Sequence, residues 1–493
     1  METILGQQAK EVFDVVVVGG GGAGLAAAIE ARAAGRSVVL LEKNDKLGGS
    51  TSWSIGSITS TGTPHQLRRG ISDNPADHWA DMPGFAGELA PRDNDELRRI
   101  LCDEIPATFQ WLLDSGIRFM GPMPEPPHRQ PRMHNVLPNS HSYIYHLERR
   151  ARRAGVEIRT GERISALEVH SGKVTGVKSE NRLFKGWATI LTTGDFTNSP
   201  ELKARFMGPQ EAKVEGVNLT ATGDGQRMAE ALGARILNGD LALGPELRFI
   251  APGKETLVRR LPPWRALALF MEWAMNHVPA AILRPFLMQF LTTALAPSPA
   301  LFEAGALLVN QRGERFGDEL DRPAWRVPEQ PGKVAYIILD QALAARFSAW
   351  PDFISTAPGV AYAYIPDYRR NRPDVYTQAA SLKALAGRLG MQPEAFEESV
   401  HASPRRKFAT GPFIALGPVR SVFVHAEGGL AVDAQHRVLA ADDRPIPGLY
   451  AAGATGQGGL LLKGHGHHLA WAFVSGRRAG RFAATSNEGA ETK

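Results

Sequence analysis

Apolar runs and glycines alternate at the start of the chain in an order that predicts strand, tight turn, helix and second strand. Val15 to Val18 form a continuous apolar run that leads into the glycine cluster Gly19 to Gly24, as a strand buried on both faces does. Leu25 to Gly35 reads as a helix, and Arg36-Ser-Val-Val-Leu-Leu-Glu42 as a second strand that ends in an acid. Residues 156–193 alternate apolar and polar positions, with turns at Ser171-Gly172 and Asn181, and predict β-hairpins. Residues 379–402 have helical periodicity. Residues 261–302 are rich in Leu, Phe, Trp and Met but are interrupted by Glu272, His277, Arg284, Pro279 and Pro285, which predicts short amphipathic helices. No window offers the roughly 18 uninterrupted apolar residues of a membrane span.

The first forty residues carry chemistry as well as pattern. Gly19, Gly21 and Gly24 stand at G-x-G-x-x-G between strand and helix, and Glu42 follows about 20 residues on, which together make a dinucleotide-binding fingerprint. Gly19 makes the turn, Gly21 admits the backbone to a pyrophosphate, and Gly24 lets helix and strand pack closely. Gly22 and Ala23 begin a helix whose free N–H groups and positive dipole end face the phosphates. Glu42 is suited to accept ribose hydroxyls and to repel a 2′-phosphate.

Composition narrows the class. At 493 residues the chain is long enough for two or three domains, and 43% hydrophobic with 22% charged residues is the balance of a soluble globular protein. The charges, 56 basic against 51 acidic, are scattered, so no nucleic-acid-binding stripe is expected. A single cysteine, Cys102, excludes an internal disulfide and an iron–sulfur cluster. The N-terminal residues lack the features of a signal peptide, and a cytoplasmic setting is expected.

Several further segments resemble one superfamily: the FAD enzymes that include fumarate reductase and succinate dehydrogenase flavoproteins and 3-ketosteroid dehydrogenases. Lys43 through Gly48, Gly49, Ser50 and Thr51 resembles its second glycine pair. Thr192-Thr-Gly194-Asp195-Phe196 resembles a strand-end turn, with Asp195 where the pattern has a second glycine, and Ala221-Thr-Gly223-Asp224-Gly225 resembles a helix start. Gly305 to Asn310, Gly313 to Glu319, His425-Ala-Glu-Gly428-Gly429, Pro447 to Gly453 and Gly476 to Gly480 follow in the family's order. The resemblance implies an α/β fold: a Rossmann-like FAD-binding domain of the glutathione-reductase type from residues 1–240 and 411–493, with an inserted α+β capping domain, 241–410. It implies FAD at the residues already named, with Gly194, Asp224, Gly453 and Leu469. No His occurs between Glu42 and Pro64, where respiratory members attach the flavin, so non-covalent FAD is expected.

In this superfamily hydride passes between flavin N5 and one carbon of a C–C or C=C bond activated by a carbonyl or carboxylate, whose developing charge needs donors. His425 matches a substrate-binding His. Lys463 falls where fumarate reductases have a carboxylate-binding Arg, and a point charge there replaces a planar fork. Leu462 lies beside the place of a ketosteroid-dehydrogenase Tyr. Arg322 lies one residue before the position of a proton-donating Arg; a salt bridge to Glu319 or Asp321 is the alternative. His134 and Tyr143, in a segment corresponding to active-site loops, are candidate donors to a carbonyl. A metal at His465, His467 and His468 is disfavoured, because adjacent helical positions diverge and no carboxylate is near in sequence.

The apolar segment 261–302 points to packing on the cap, to an apolar entrance for a hydrophobic substrate, or to peripheral membrane contact flanked by Arg259, Arg260 and Arg265. The leading expectation is α,β-dehydrogenation or C=C reduction of an apolar carbonyl compound. A fumarate-reductase-like activity on di- or tricarboxylates and a catalytically degenerate flavin-binding electron-transfer or interaction subunit are the alternatives. No second nucleotide fingerprint is present to support NAD(P)H as electron donor, and the electron partner is left open.

Overall fold

The computed structural model describes residues 9–251, 260–279, 282–284, 288, 292, 296–357, 361–408 and 411–485. The opening pattern folds as β1 (Val15–Val18), α1 (Gly22–Ala33) and β2 (Val38–Leu41). With β3 (Glu157–Arg159), β4 (Ala188–Leu191), β5 (Arg437–Leu439) and β6 (Pro445–Ala451) these strands form a six-stranded sheet in the order β5-β6-β4-β1-β2-β3. Every pair is parallel except β5 with β6. The four valines of β1 are buried because the strand is central and covered on both faces. From β1 the chain winds toward β2, while β4 occupies the other side. This reversal opens a crevice at the carboxyl end of β1, the place where open α/β sheets bind ligands.

Helix α1 packs on α2 (His467–Thr485), joining the two ends of the chain. A Cβ at Gly476 would stand 2.4 Å from the Ala23 carbonyl oxygen, and one at Gly480 would stand 2.3 Å from that of Ala27. Only glycine therefore permits this approach. The alanines Ala26, Ala27, Ala28 and Ala31 are fully buried, so α1 contributes close backbone packing more than side-chain volume.

The alternation in 156–193 produces antiparallel strands Ile164–His170, Lys173–Ser179 and Arg182–Lys185, and Ala9–Val12 adds in parallel to the last. Ser171 and Gly172 both have positive φ, 49° and 78°, the twist a two-residue hairpin needs. The helical pattern of 379–402 becomes two helices, Leu382–Leu389 and Pro393–His401, divided at left-handed Gly390.

A second sheet forms around Phe413–Phe423, which pairs with Glu246–Phe249, Ala335–Leu339 and Tyr376–Ala379, while Leu307–Asn310 lies beyond Ala335–Leu339. Leu247, Phe249, Ile337, Leu339, Ile414 and Leu416 belong to its core. Two chain crossings link this unit to the first, and they pair antiparallel at Ala242–Leu243 and His425–Ala426. Of the apolar segment 261–302, part lies outside the described residues. The described helix Arg265–His277 buries Ala268 and Ala274 and exposes Phe270 and Trp273, with Trp264 exposed just before it. No helix among the described residues is long and apolar enough to cross a membrane.

Gly480→Val should force α1 and α2 apart and lower stability by about 1–3 kcal/mol, read from the urea midpoint. Gly387→Ala, in a helix with nothing within 4 Å of the added carbon, should leave stability unchanged or raise it by up to about 1 kcal/mol.

Candidate active site

A cavity of about 380 Å³ occupies the crevice and extends to the crossing strands. The glycines in and around it divide into two kinds. At Gly19 (φ 109°) and Gly24 a Cβ would meet backbone oxygens of Thr192 and Gly19, at 2.3 and 1.9 Å, so these glycines serve packing. Gly48 serves its turn, with φ 143° and Ser52 Oγ 2.6 Å from an added Cβ. At Gly21 and Gly49 an added Cβ would meet nothing within 3.7 Å, and at Gly194 nothing within 4 Å; all three line the cavity. Backbone is thus presented to a ligand there, as a pyrophosphate cradle requires.

Polar groups around this cradle are fixed. Glu42, at the end of β2, accepts hydrogen bonds from Gly20 N at 2.7 Å, Asn44 N at 2.9 Å and Asn44 Nδ2 at 2.6 Å. Lys43 Nζ donates to Thr222 Oγ1 at 2.7 Å and to Asp224 Oδ2 at 2.9 Å. Burial works against the Asp224 charge, but its bond and attraction to Lys43 hold the carboxyl below its ordinary value. Gly22 N donates to Thr51 Oγ1, Asn218 Nδ2 to Ser50 Oγ, and Gly453 N to Ser475 Oγ. Ala23 and Leu469 also line the cavity; of the cofactor residues expected from the sequence, Gly24 and Gly48 do not.

At the other end stand His425, His465 and His468, with Trp53, Ile55, Leu243 and Val424 as apolar walls. The His425 and His468 rings are in contact, their centroids 3.5 Å apart. Beneath them lies Glu427, fully buried, with Oε1 3.6 Å from His425 Nε2 and 3.0 Å from Lys463 Nζ. Gln457 Nε2 donates to its other oxygen at 2.5 Å. Burial would raise the Glu427 carboxyl, but the pull of His425, His468 and Lys463 outweighs it and holds the group ionised far below the usual range. Burial also pushes His468 well down. His465, half-exposed, presents Nδ1 to Glu125 Oε1 at 2.5 Å, and this bond raises its pKa.

The remaining catalytic candidates lie elsewhere. Lys463 does not line the cavity; its ammonium is turned under it toward Glu427. Arg322 is exposed on the cap at a left-handed φ of 45° and is absent from the lining. Its expected partners are engaged otherwise, Glu319 with Arg315 and Arg405 and Asp321 with Arg326. His134 and Tyr143, expected as carbonyl donors, are fully buried away from the cavity. His134 is bonded to Thr63 Oγ1 and the Arg132 carbonyl, and burial brings its pKa to about 3; the Tyr143 hydroxyl donates to the Gly56 carbonyl. Glu427, Glu125, Asn218 and the Glu246–Arg248 pair escaped sequence reasoning. The only signal for Glu427 was its place between His425 and the Gly428-Gly429 pair.

A doubly wound sheet whose crevice is lined by open backbone and closed by an acid at the end of the second strand defines a dinucleotide-binding protein. The chain belongs to the family described as FAD binding domain, which matches residues 14–260 and 274–461. It is 24% identical over 476 residues to the NADH:fumarate oxidoreductase of Klebsiella pneumoniae, covering 90% of this chain and 44% of that protein, so it spans less than half of that relative. It is 26% identical to the vinyl phenol reductase of Lactiplantibacillus plantarum over 96% of both chains. The open conformation of a flavocytochrome c3 fumarate reductase superposes with a TM-score of 0.71 at 23% identity, covering 96% of this chain and 78% of that one. A 3-ketosteroid-Δ4-(5α)-dehydrogenase from Rhodococcus jostii RHA1 gives 0.59 at 22% identity, covering 98% and 99%. These likenesses show the α/β flavoprotein fold.

Glu427→Gln would leave the Lys463 ammonium without its carboxylate and should cost about 3–5 kcal/mol. Because the folded carboxyl is depressed, its stabilisation is complete above the ordinary value of 4.5 and declines as pH falls below it. Urea unfolding from pH 7 to 3 should therefore show a shallower acid decline in the variant than in the wild type.

Proposed function

We propose that the chain is an FAD-dependent oxidoreductase that forms or reduces a C=C bond next to the carbonyl of an apolar compound. The supporting observation is charge. Lys43 and its partner Asp224 belong to the cofactor end of the cavity; of the lysines and arginines in its lining, Arg248 is the one beside the histidines, where it is ion-paired with Glu246, and Lys463 beneath is paired with Glu427. A dicarboxylate entering such a site would find its countercharges already spent, whereas a neutral carbonyl needs only a donor. Trp53, Ile55, Leu243 and Val424 supply the apolar surface.

FAD, when bound along the cradle from Gly19 to Leu469, supplies hydride transfer at its N5. The protein's own groups do the rest. His425 donates to the substrate carbonyl oxygen, and Glu427 holds that imidazole in place while Lys463 balances the carboxylate. His465, whose pKa is raised by its bond to Glu125, is the proton source for the carbon beside the one that receives hydride. The flavin is held without a covalent bond, since the segment following the second glycine pair, Ser50 to Thr63, contains neither His nor Cys. The exposed Trp264, Phe270 and Trp273 provide a peripheral contact for a membrane from which an apolar substrate enters.

Acid precipitation should release all of the flavin to the supernatant; flavin retained in the pellet would refute the non-covalent reading. Under anaerobic conditions, dithionite-reduced enzyme should be reoxidised by cyclic or steroidal enones, or the oxidised enzyme bleached by the saturated ketones. Reoxidation by fumarate alone would favour the dicarboxylate alternative. Silence toward both would favour a flavoprotein without this catalysis. His425→Ala should lower the enone reaction about 100-fold or more.

A further inference from the structure

Behind the cavity wall, three imidazoles from distant segments meet. His78 comes from the helix Pro75–Asp81, His128 from the loop after the strand Arg118–Met123, and His467 opens α2. Their ring centroids stand 5.3, 5.3 and 5.6 Å apart, a nearly equilateral triangle. His78 and His467 are fully buried and His128 is 7% exposed; Phe85 packs edge-on against both His128 and His467. One ring nitrogen from each lies within 4.8 Å of the others.

Hydrogen bonding leaves this cluster incomplete. His467 Nδ1 lies 2.5 Å from the Lys463 carbonyl oxygen and so carries the proton, which leaves a lone pair on Nε2. That nitrogen faces His78 Nε2 at 3.3 Å. Arg132 Nη1 donates to His128 Nδ1 at 2.8 Å, so neutral His128 is protonated on Nε2. His128 Nε2 and His78 Nδ1 are buried with no partner among the described residues.

We propose that His78, His128 and His467 bind one divalent transition-metal ion of the zinc class. Nitrogens 3.3 Å apart match two ligands each about 2.0–2.1 Å from one tetrahedral ion. The Lys463 carbonyl is the outer acceptor that fixes the His467 tautomer. Binding at His128 Nε2 moves that ring's proton to Nδ1, where Asp81 Oδ2, 3.9 Å away, is the acceptor in place of the bond from Arg132, so the ring ligates as neutral imidazole. The second cluster, His425, Glu427 and His468, does not compete, because the Lys463 ammonium already supplies its cation. The ion is structural: it ties the helix with His78 and the loop with His128 to the start of α2, next to His468 and four residues after Lys463. The inference does not depend on the substrate proposed above.

The test is metal and flavin analysis of the full-length holoprotein expressed in zinc-supplemented medium and freed of loose metal by desalting. About one zinc per flavin is expected. Chelator-treated protein reloaded with Co(II) should show d–d bands of a low-coordinate imidazole site at wavelengths beyond the flavin absorption. His78→Gln and His128→Gln should each lower retained zinc at least tenfold with flavin content unchanged, whereas His425→Asn should keep it. Wild-type protein that holds no stoichiometric zinc or Co(II) by either route would overturn the proposal. So would zinc lost in His425→Asn and kept in His78→Gln.

Discussion

The approach of α1 to α2 at Ala23 and Gly476 holds together segments about 450 residues apart in sequence. It sets the depth of the crevice, because α1 carries the glycine turn on one wall while α2 and the chain leading into it carry His468, Gly453 and Gly464 on the other. A Cβ added at Gly476 would stand only 2.4 Å from the Ala23 oxygen, so the interface is made by the absence of a side chain. A methyl group at Gly476 would move the wall that positions the histidines as well as the helix end that faces the pyrophosphate site. Cofactor cradle and candidate chemistry thus depend on the same close contact.

Electrostatics divides the cavity in two. At the glycine end, backbone N–H groups and the α1 dipole face a ligand and ask nothing of side-chain charge. At the histidine end, the cations and carboxylates are largely paired before any substrate arrives. Glu427 is central there: it neutralises Lys463, steadies His425, and is kept ionised by both despite complete burial. The arrangement leaves donors with direction rather than donors with net charge.

Histidine usage follows burial. His134 is a bonded interior residue, and His425 and His465 face the cavity. His78, His128 and His467 form a separate buried group in which His78 Nδ1 and His128 Nε2 have no partner among the described residues. Residues 465 to 468 contribute to three environments within one turn, because the chain tightens at Gly464 and Gly466, both at positive φ, before α2 begins. His467 and His468 consequently point to opposite sides of the cavity wall.

Local pattern determined the opening β–α–β unit, the hairpins of 164–185 and the open glycine backbone of the crevice, since each depends on neighbours in sequence: apolar runs, turn residues and glycine spacing. Distance in sequence hid the rest. Nothing around His134 or Tyr143 shows that they are interior, because burial is conferred by Phe109, Phe119 and Phe473 from other elements. Lys463 reads as a free cation until the chain folds it onto Glu427, and His467 reads as one of a helical row until His78 and His128 meet it. Residue types and the cradle follow from the sequence, because short-range sterics and hydrogen bonding set them. Which charges are neutralised, and which imidazoles face one another, is decided only by tertiary packing, which brings together groups that no local rule connects.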